Sequence, residues 1–452
     1  MKKYISILTI IYLGFATPGC KKYLDEKPDV KLAVPSTLAD FQALLDNYPV
    51  INNADPGSGE ISADNYYLFD ADYQALSTDY FRNMYTWQKS NLFMPQSNDW
   101  YYSYRPVFTA NTILEGLSKI AQTGNNQNDY NNVKGEAFFV RGKAFLQVAS
   151  LWTSAYDPNA ASGQLGIPIR LNSDFNQQSV RSNLQETYNQ VISDLRSAAA
   201  LLPVTPLHVM RSSKPAAFAL LARTYLYMQQ YEKAGLYADS CLQLAHTLLD
   251  FNTLNAGANY PVAQFNAEVI HENKIPVPAP LSNTRARIDT MLYNSYATND
   301  LRKTIFFKAG TNGTHVFKGS YEGGGNLFGG IATDDVYLMR AECFARAGKT
   351  NEAMSDLNVL LIKRFKSGTF IPLIAANSND ALLLILTERR KELLMRGLRW
   401  MDLKRLNKAG QNITLTRNIN GQTYILQPNG PRYALPIPDD IIQLTGMEQN
   451  PR

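Results

Sequence analysis

Between Pro215 and Leu242 the chain reads PAAFALLARTYLYMQQYEKAGLYADSCL, and apolar side chains return every third or fourth position on both sides of the polar turn MQQYEKA. The stretch 334–361, DDVYLMRAECFARAGKTNEAMSDLNVLL, repeats that pattern. An offset of 119 residues aligns Ala222 with Ala341, Tyr225 with Phe344, Ala234 with Ala353, Ala238 with Leu357 and Cys241 with Leu360. An apolar period near 3.6 describes a helix with one buried stripe, so each copy predicts two helices joined by a short turn. Small residues at the matched alanines let the helices approach, and the aromatic fills the groove beside them. A third first helix is predicted at 133–149, with Gly142 in the small position and Phe145 in the aromatic one; its partner, 184–201, is displaced behind the loop SAYDPNAASGQLGIPI.

These hairpins resemble the tetratricopeptide repeat, with units near 133–201, 211–246 and 334–364. Long insertions scatter them, so no continuous solenoid is expected. Such units need neighbours to bury their faces. The expectation is therefore a mainly α fold, a single domain over 36–452, with long irregular loops and one small β-hairpin. The hairpin is placed in 411–437, with Asn420–Gly421 as its turn. Between the repeats, 251–330 is rich in Asn, Gly, Pro and Thr, and IPVPAP cannot be helical. KGSYEGGGNLFGG (318–330) lacks the ending of a phosphate loop and reads as a mobile surface loop. ERRKELLMRGLRWMDLKRL (388–406) reads as one helix with Leu393, Gly397 and Trp400 on one side. In that reading Glu392–Arg396 and Arg399–Asp402 are local ion pairs worth about 0.2–0.5 kcal/mol each, and Gly397 marks a close contact with another helix.

The amino end has a different pattern. Lys2 and Lys3 precede an apolar run from Ile5 to Phe15, and small residues lead into Cys20. The run is about half the ~20 residues that span a bilayer, as in a secretory signal peptide. Residues 1–19 are expected to be that leader, Cys20 the acylated first residue of a bacterial lipoprotein, and 20–35 its tether; Thr17 and Pro18 depart from the usual lipobox. Composition changes little: 45% hydrophobic and 18% charged residues are ordinary for a globular chain of 452. The net charge of +5 loses the two leader lysines and is too small and dispersed to predict nucleic-acid binding. Cys241 and Cys343 fall within helical patterns and are expected to be buried free thiols. The four histidines, at 208, 246, 271 and 315, show no metal spacing, so no metal or cofactor is predicted.

Motifs at both ends and in the middle resemble the SusD/RagB family of outer-membrane nutrient-uptake lipoproteins. They are Cys20 followed by Tyr23, Leu24, Asp25 and Pro28; Trp100, Tyr104 and Asn111 in DWYYSYRPVFTANTILEGL; GEAFFVRGKAF; GIPI; DLR at 300–302; LMRAECFARAG; the 388–406 stretch; and LPIPDDII…QNP. Arg396 stands where the family usually has glutamate, so the salt bridge that glutamate would form is not expected here. The resemblance implies a SusD-like fold anchored to the outer membrane by lipid alone and facing the cell exterior. It further implies a SusC-like TonB-dependent transporter as partner and no catalytic activity. The implied ligand is an oligosaccharide, with peptides as the alternative.

Sugar binding requires flat aromatic faces and groups that meet hydroxyls. The window 64–104 holds 13 aromatics in 41 residues, interleaved with Asp70, Asp72, Asp79, Asn83, Asn91, Asn98 and Asp99. Trp87, ahead of the turn-rich QKSNLFMPQSND, is the first platform candidate, followed by Tyr73, Tyr80 and Tyr85. Tyr293, Tyr296 and Tyr321 are candidate partners from the irregular region. Trp100, Tyr104 and Phe108, at i, i+4 and i+8, read as packing. Two rival functions remain. A glycosidase needs two carboxylates ~5–10 Å apart, and no motif selects a pair from the 39 acids. A scaffold for protein tails would show a continuous 34-residue array. The anchor is tested directly: Cys20→Ala should release a folded protein from membranes, and retention after a high-salt wash would exclude lipidation.

Overall fold

The computed structural model describes residues 34–452. Cys20, the leader 1–19 and nearly all of the tether lie outside the described residues. The helices that carry the architecture are α1 (Leu38–Leu45), α2 (Asp79–Tyr85), α3 (Asp99–Leu117), α4 (Gln127–Trp152), α5 (Leu184–Leu201), α6 (Lys214–Tyr227), α7 (Tyr231–Leu242), α8 (Thr333–Arg346), α9 (Thr350–Leu361), α10 (Ser378–Glu392), α11 (Arg399–Lys408) and α12 (Asp439–Thr445). Local chemistry sets their starts. Asn98 caps α3, Ser213 caps α6 with Pro215 in its first turn, and Asn183 with Glu186 forms a reciprocal capping box on α5. No described helix is long and apolar enough to cross a membrane.

The two copies fold as predicted, α6 against α7 and α8 against α9. Ala222, Ala341, Ala234, Ala353, Ala238, Leu357, Cys241 and Leu360 are all buried. The inter-helix turns match as well: Gln229 and Gly348, 119 residues apart, both take positive φ. The units are scattered along the sequence, as expected, yet contiguous in space. α4, α5, α6, α7, α8 and α9 each pack on the next, and the long insertion between α7 and α8 loops out without interrupting the stack. Insertion length costs little when the hairpin faces still meet. Cys241 and Cys343 are buried free thiols.

The stretch 388–406 is not one helix. α10 ends at Glu392 and α11 begins at Arg399. Between them Met395 and Gly397 have φ of 58° and 71°, outside the helical region. Gly397 is required by that φ and by Ile275, whose Cδ1 would lie 2.8 Å from an added Cβ. The expected local ion pairs do not form either. Arg302 binds Asp300, Glu388 and Glu392; Arg364 binds Glu392 and Glu268; Arg389 bridges Asp335 and Asp402; Arg405 bridges Asp402 and Glu342. The N···O distances of these contacts run from 2.6 to 2.9 Å, and Arg302 and Arg364 are fully buried. Arg396, which departs from the family pattern, pairs with Asp334 at 3.1 Å. Arg399 grips Asp64 through two hydrogen bonds of 2.7 and 2.9 Å. Guanidinium neighbours hold Asp335 well below the ordinary carboxylate range and Glu342 down to about 2, against the opposing effect of burial.

The irregular region is tied down by short antiparallel pairs. Val269–His271 meets Ile331–Ala332, and Lys274–Ile275 meets Leu327–Phe328. The glycine-rich stretch is consequently mostly interior: Lys318, Ser320, Tyr321, Glu322, Leu327 and Phe328 are buried, which corrects the surface-loop reading. The predicted hairpin pairs Leu415–Ile419 with Gln422–Leu426, and Asn420 and Gly421 take the positive φ of its turn. Glu272 and Glu322 are buried beside Gln264, which donates to both at 3.2 and 3.5 Å, and Lys274 pairs with Glu322 at 3.0 Å. Burial, then Glu322 itself, pushes the Glu272 carboxyl up to about 9. The folded protein therefore keeps a proton that the unfolded chain releases above about pH 4.5. That stabilisation is complete below the unfolded value and is lost as pH rises toward 9. Glu272→Gln retains a neutral hydrogen-bonding group, so melting curves from pH 5 to 9 should fall less steeply for the variant than for the wild type.

Candidate ligand-binding site

Four of the seven predicted aromatics lie in the core. Trp87 is only 3% exposed; its indole Nε1 donates to the Ser62 carbonyl at 2.9 Å. The Arg417 guanidinium lies 4.6 Å from the Trp87 ring centre, 3.7 Å from that of Tyr85 and 5.4 Å from that of Tyr66. Tyr85 also accepts a hydrogen bond from the Leu68 amide. Tyr296 is buried, donates to the Lys391 carbonyl and stacks near Arg302. Tyr321 donates to Glu268 at 2.6 Å and lies under Arg396. These rings already face internal cations, and no ligand face remains. This corrects the platform reading for Trp87, Tyr85, Tyr296 and Tyr321. Tyr73 is half-buried against Tyr85, and Tyr293 stacks on His315 with ring centres 3.4 Å apart.

Tyr80 reaches a cleft. A cavity of about 510 Å³ opens between α2, the loop 92–98, the start of α3 and Pro276–Pro278. That volume lies within the range of small-molecule sites. Tyr80, Phe81, Phe93 and Tyr102 are its aromatic lining, and the rigid IPVP segment forms the opposite wall. Asn98 caps α3 by accepting from the Tyr101 amide at 3.1 Å and donates to the Met94 carbonyl at 2.7 Å, which fixes the loop to the helix. The Tyr102 hydroxyl is 3.1 Å from Ser97 Oγ.

Two carboxylates face the same space. Asp99 Oδ2 accepts from the Ser58 amide at 2.8 Å and from the Ser58 hydroxyl. Asp55 Oδ1 accepts from Lys143 at 2.6 Å, while its buried Oδ2 has no hydrogen-bond partner among the described residues. Burial raises both carboxyls above their ordinary range, against Ser58 in one case and Lys143 in the other. The lining holds no Lys, Arg or His among the described residues. Aromatic faces, amides and acceptor oxygens suit a neutral polyhydroxylated ligand. Phe81, Phe93 and Tyr102 lay within the aromatic window, yet nothing local separated them from the core aromatics. Asp55 and the Pro276–Pro278 wall carried no sequence signal beyond the exclusion of helix.

Comparison with known proteins bears on the fold. Residues 22–226 match a family model described as starch-binding associating with outer membrane, and residues 333–452 match the SusD family model. A SusD-like protein of Formosa agariphila is 24% identical, across 94% of this chain and 95% of its own. A putative sugar-binding protein of Bacteroides vulgatus superposes with a TM-score of 0.75 at 21% identity, covering 93% of this chain and 99% of its own. A SusD superfamily protein of Bacteroides thetaiotaomicron gives 0.73 at 22% identity, with 92% and 100% covered. Because Trp87 is packed under Arg417, Trp87→Ala should lower stability by about 3–5 kcal/mol. The folded fraction should keep its ligand affinity, read by denaturant unfolding and by titration below the melting transition.

Proposed function

The chain belongs to the SusD/RagB family, and we propose that it captures nutrient oligosaccharide in the Tyr80–Tyr102 cleft without transforming it. The observation that carries this reading is the pairing of ring faces with the half-buried Asp99 carboxylate and the Asn98 amide in a lining free of cations. Pyranose rings present an apolar C–H face to aromatics and hydroxyl donors to carboxylates. Within that reading, Cys20 carries acyl chains that hold the protein on the outer face of the outer membrane. The captured glycan passes to a SusC-like TonB-dependent transporter.

Titration calorimetry tests the cleft. Tyr102→Ala and Tyr80→Ala should each weaken binding of a neutral oligosaccharide about three- to tenfold, from roughly 0.5–1.5 kcal/mol per aromatic contact, with the melting temperature nearly unchanged. Unchanged affinity in both variants would remove the cleft from glycan capture. Binding of peptides in place of glycans, lost in the same variants, would assign the same uptake role to peptides.

A further inference from the structure

On another side of the N-terminal half of α3 lies a second, larger cleft of about 690 Å³. Its walls are α3, the loop 168–179 and α12. Tyr101 and Phe108 are 48% and 53% exposed on the α3 wall, and Phe175 is 84% exposed on the loop. Arg105 lies between Tyr101 and Phe108 in sequence, with its guanidinium 5.9 Å from the Tyr101 ring centre. Among the described residues this guanidinium forms no ion pair and donates no hydrogen bond. Arg170 stands on the loop wall, where its guanidinium donates only to neutral groups: the Gln177 and Asp174 carbonyls and Ser179 Oγ. The lining holds no Asp or Glu among the described residues. The nearby carboxylates are engaged elsewhere, Glu115 by Ser173 and Asp174 by Asn176. The first cleft has the reverse lining, with Asp99 and the Lys143-paired Asp55 and no Lys, Arg or His among the described residues.

We infer that this second cleft binds an acidic saccharide, its carboxylate or sulfate held by Arg105 beside the Tyr101 and Phe108 rings. An unpaired guanidinium offers forked donors that fit either oxyanion, and the flanking rings take the apolar face of the sugar. Arg170 adds a second positive charge on the loop wall and forms no ion pair among the described residues. Asn111 donates to the Arg170 and Asn172 carbonyls at 2.9 Å each, so the loop wall is braced against α3 before any ligand arrives. The inference takes from the glycan-capture reading only that the ligand is a saccharide. The preference for an anion comes from this cleft alone.

The experiment titrates the purified protein with an oligogalacturonate, a sulfated galactan oligomer and a neutral galactan oligomer of equal length. At least one acidic oligomer should bind, more weakly as salt rises. Arg105→Gln should reduce that affinity about tenfold or more, the loss expected for one charge-assisted hydrogen bond. Phe108→Ala should weaken it as well. Both positions lie outside the closed core, and melting curves verify that the variants fold. Tyr80 lines only the first cleft, and Tyr80→Ala should leave acidic binding intact while weakening neutral binding, so failure of the first cleft and failure of the second are read separately. The inference is overturned if neither acidic oligomer binds, if the neutral oligomer binds this cleft equally well, or if Arg105→Gln retains wild-type affinity for the acidic ones.

Discussion

The buried arginine–carboxylate network is the constraint on which the rest of this structure depends. Arg302, Arg364, Arg389 and Arg405 are at most 2% exposed, and each meets carboxylates from different parts of the chain. Through them α8, α10 and α11 are joined to the segment around Asp300 and to Glu268, and Arg223 of α6 enters through Asp335 at 2.7 Å. Removing charges from water costs several kcal/mol per ion unless they are paired and hydrogen-bonded. Losing one partner leaves a bare buried charge, at about 3–5 kcal/mol. An apolar core of helices tolerates small sliding movements. A guanidinium fork that must meet two carboxylates does not, so the network sets register where hydrophobic packing alone would leave it loose.

That register is transmitted to the clefts through a short chain of polar contacts. Arg399 of α11 holds Asp64, and the Gly397 amide donates to Glu60 at 3.0 Å. Asp64 and Glu60 belong to the segment 57–64, whose Ser58 in turn binds Asp99 at the start of α3. α3 then presents Tyr102 to one cleft and Arg105 with Phe108 to the other. Arg417 of the C-terminal hairpin closes the arrangement from another side by donating to the Ile61 and Ala63 carbonyls. The cleft walls are loops, short helices and the first half of α3, while the parts that locate them are ion pairs and buried hydrogen bonds. This division lets a binding surface vary in shape without disturbing the scaffold.

The helical hairpins were legible in the sequence because their cause is local. A 3.6-residue apolar period, small residues at matched positions and a polar turn act within about 30 residues, and the 119-residue offset exposed them as copies. The Asn420–Gly421 turn was legible for the same reason, since positive φ favours those residues wherever they stand. The family resemblance was legible from motifs at both ends of the chain.

Which aromatic rings face a ligand was decided only by tertiary structure. Aromatics interleaved with charged residues describe a sugar platform and an internal cation–π cage equally well. The cage around Trp87 is completed by Arg417, 330 residues further along the chain. Phe108 was read as packing and stands open in a cleft that Trp100 and Tyr104 also line: Trp100 is buried against Trp152 and Tyr104 is tied to the Pro168 carbonyl, while Phe108 is left 53% exposed. Glu392–Arg396 and Arg399–Asp402 were read as local ion pairs, and a turn at Met395–Gly397 leaves each of these side chains paired with a distant partner in place of its neighbour. Periodicity states that a residue has a buried or exposed side within its own helix. It carries no information about which distant element, if any, arrives to cover that side.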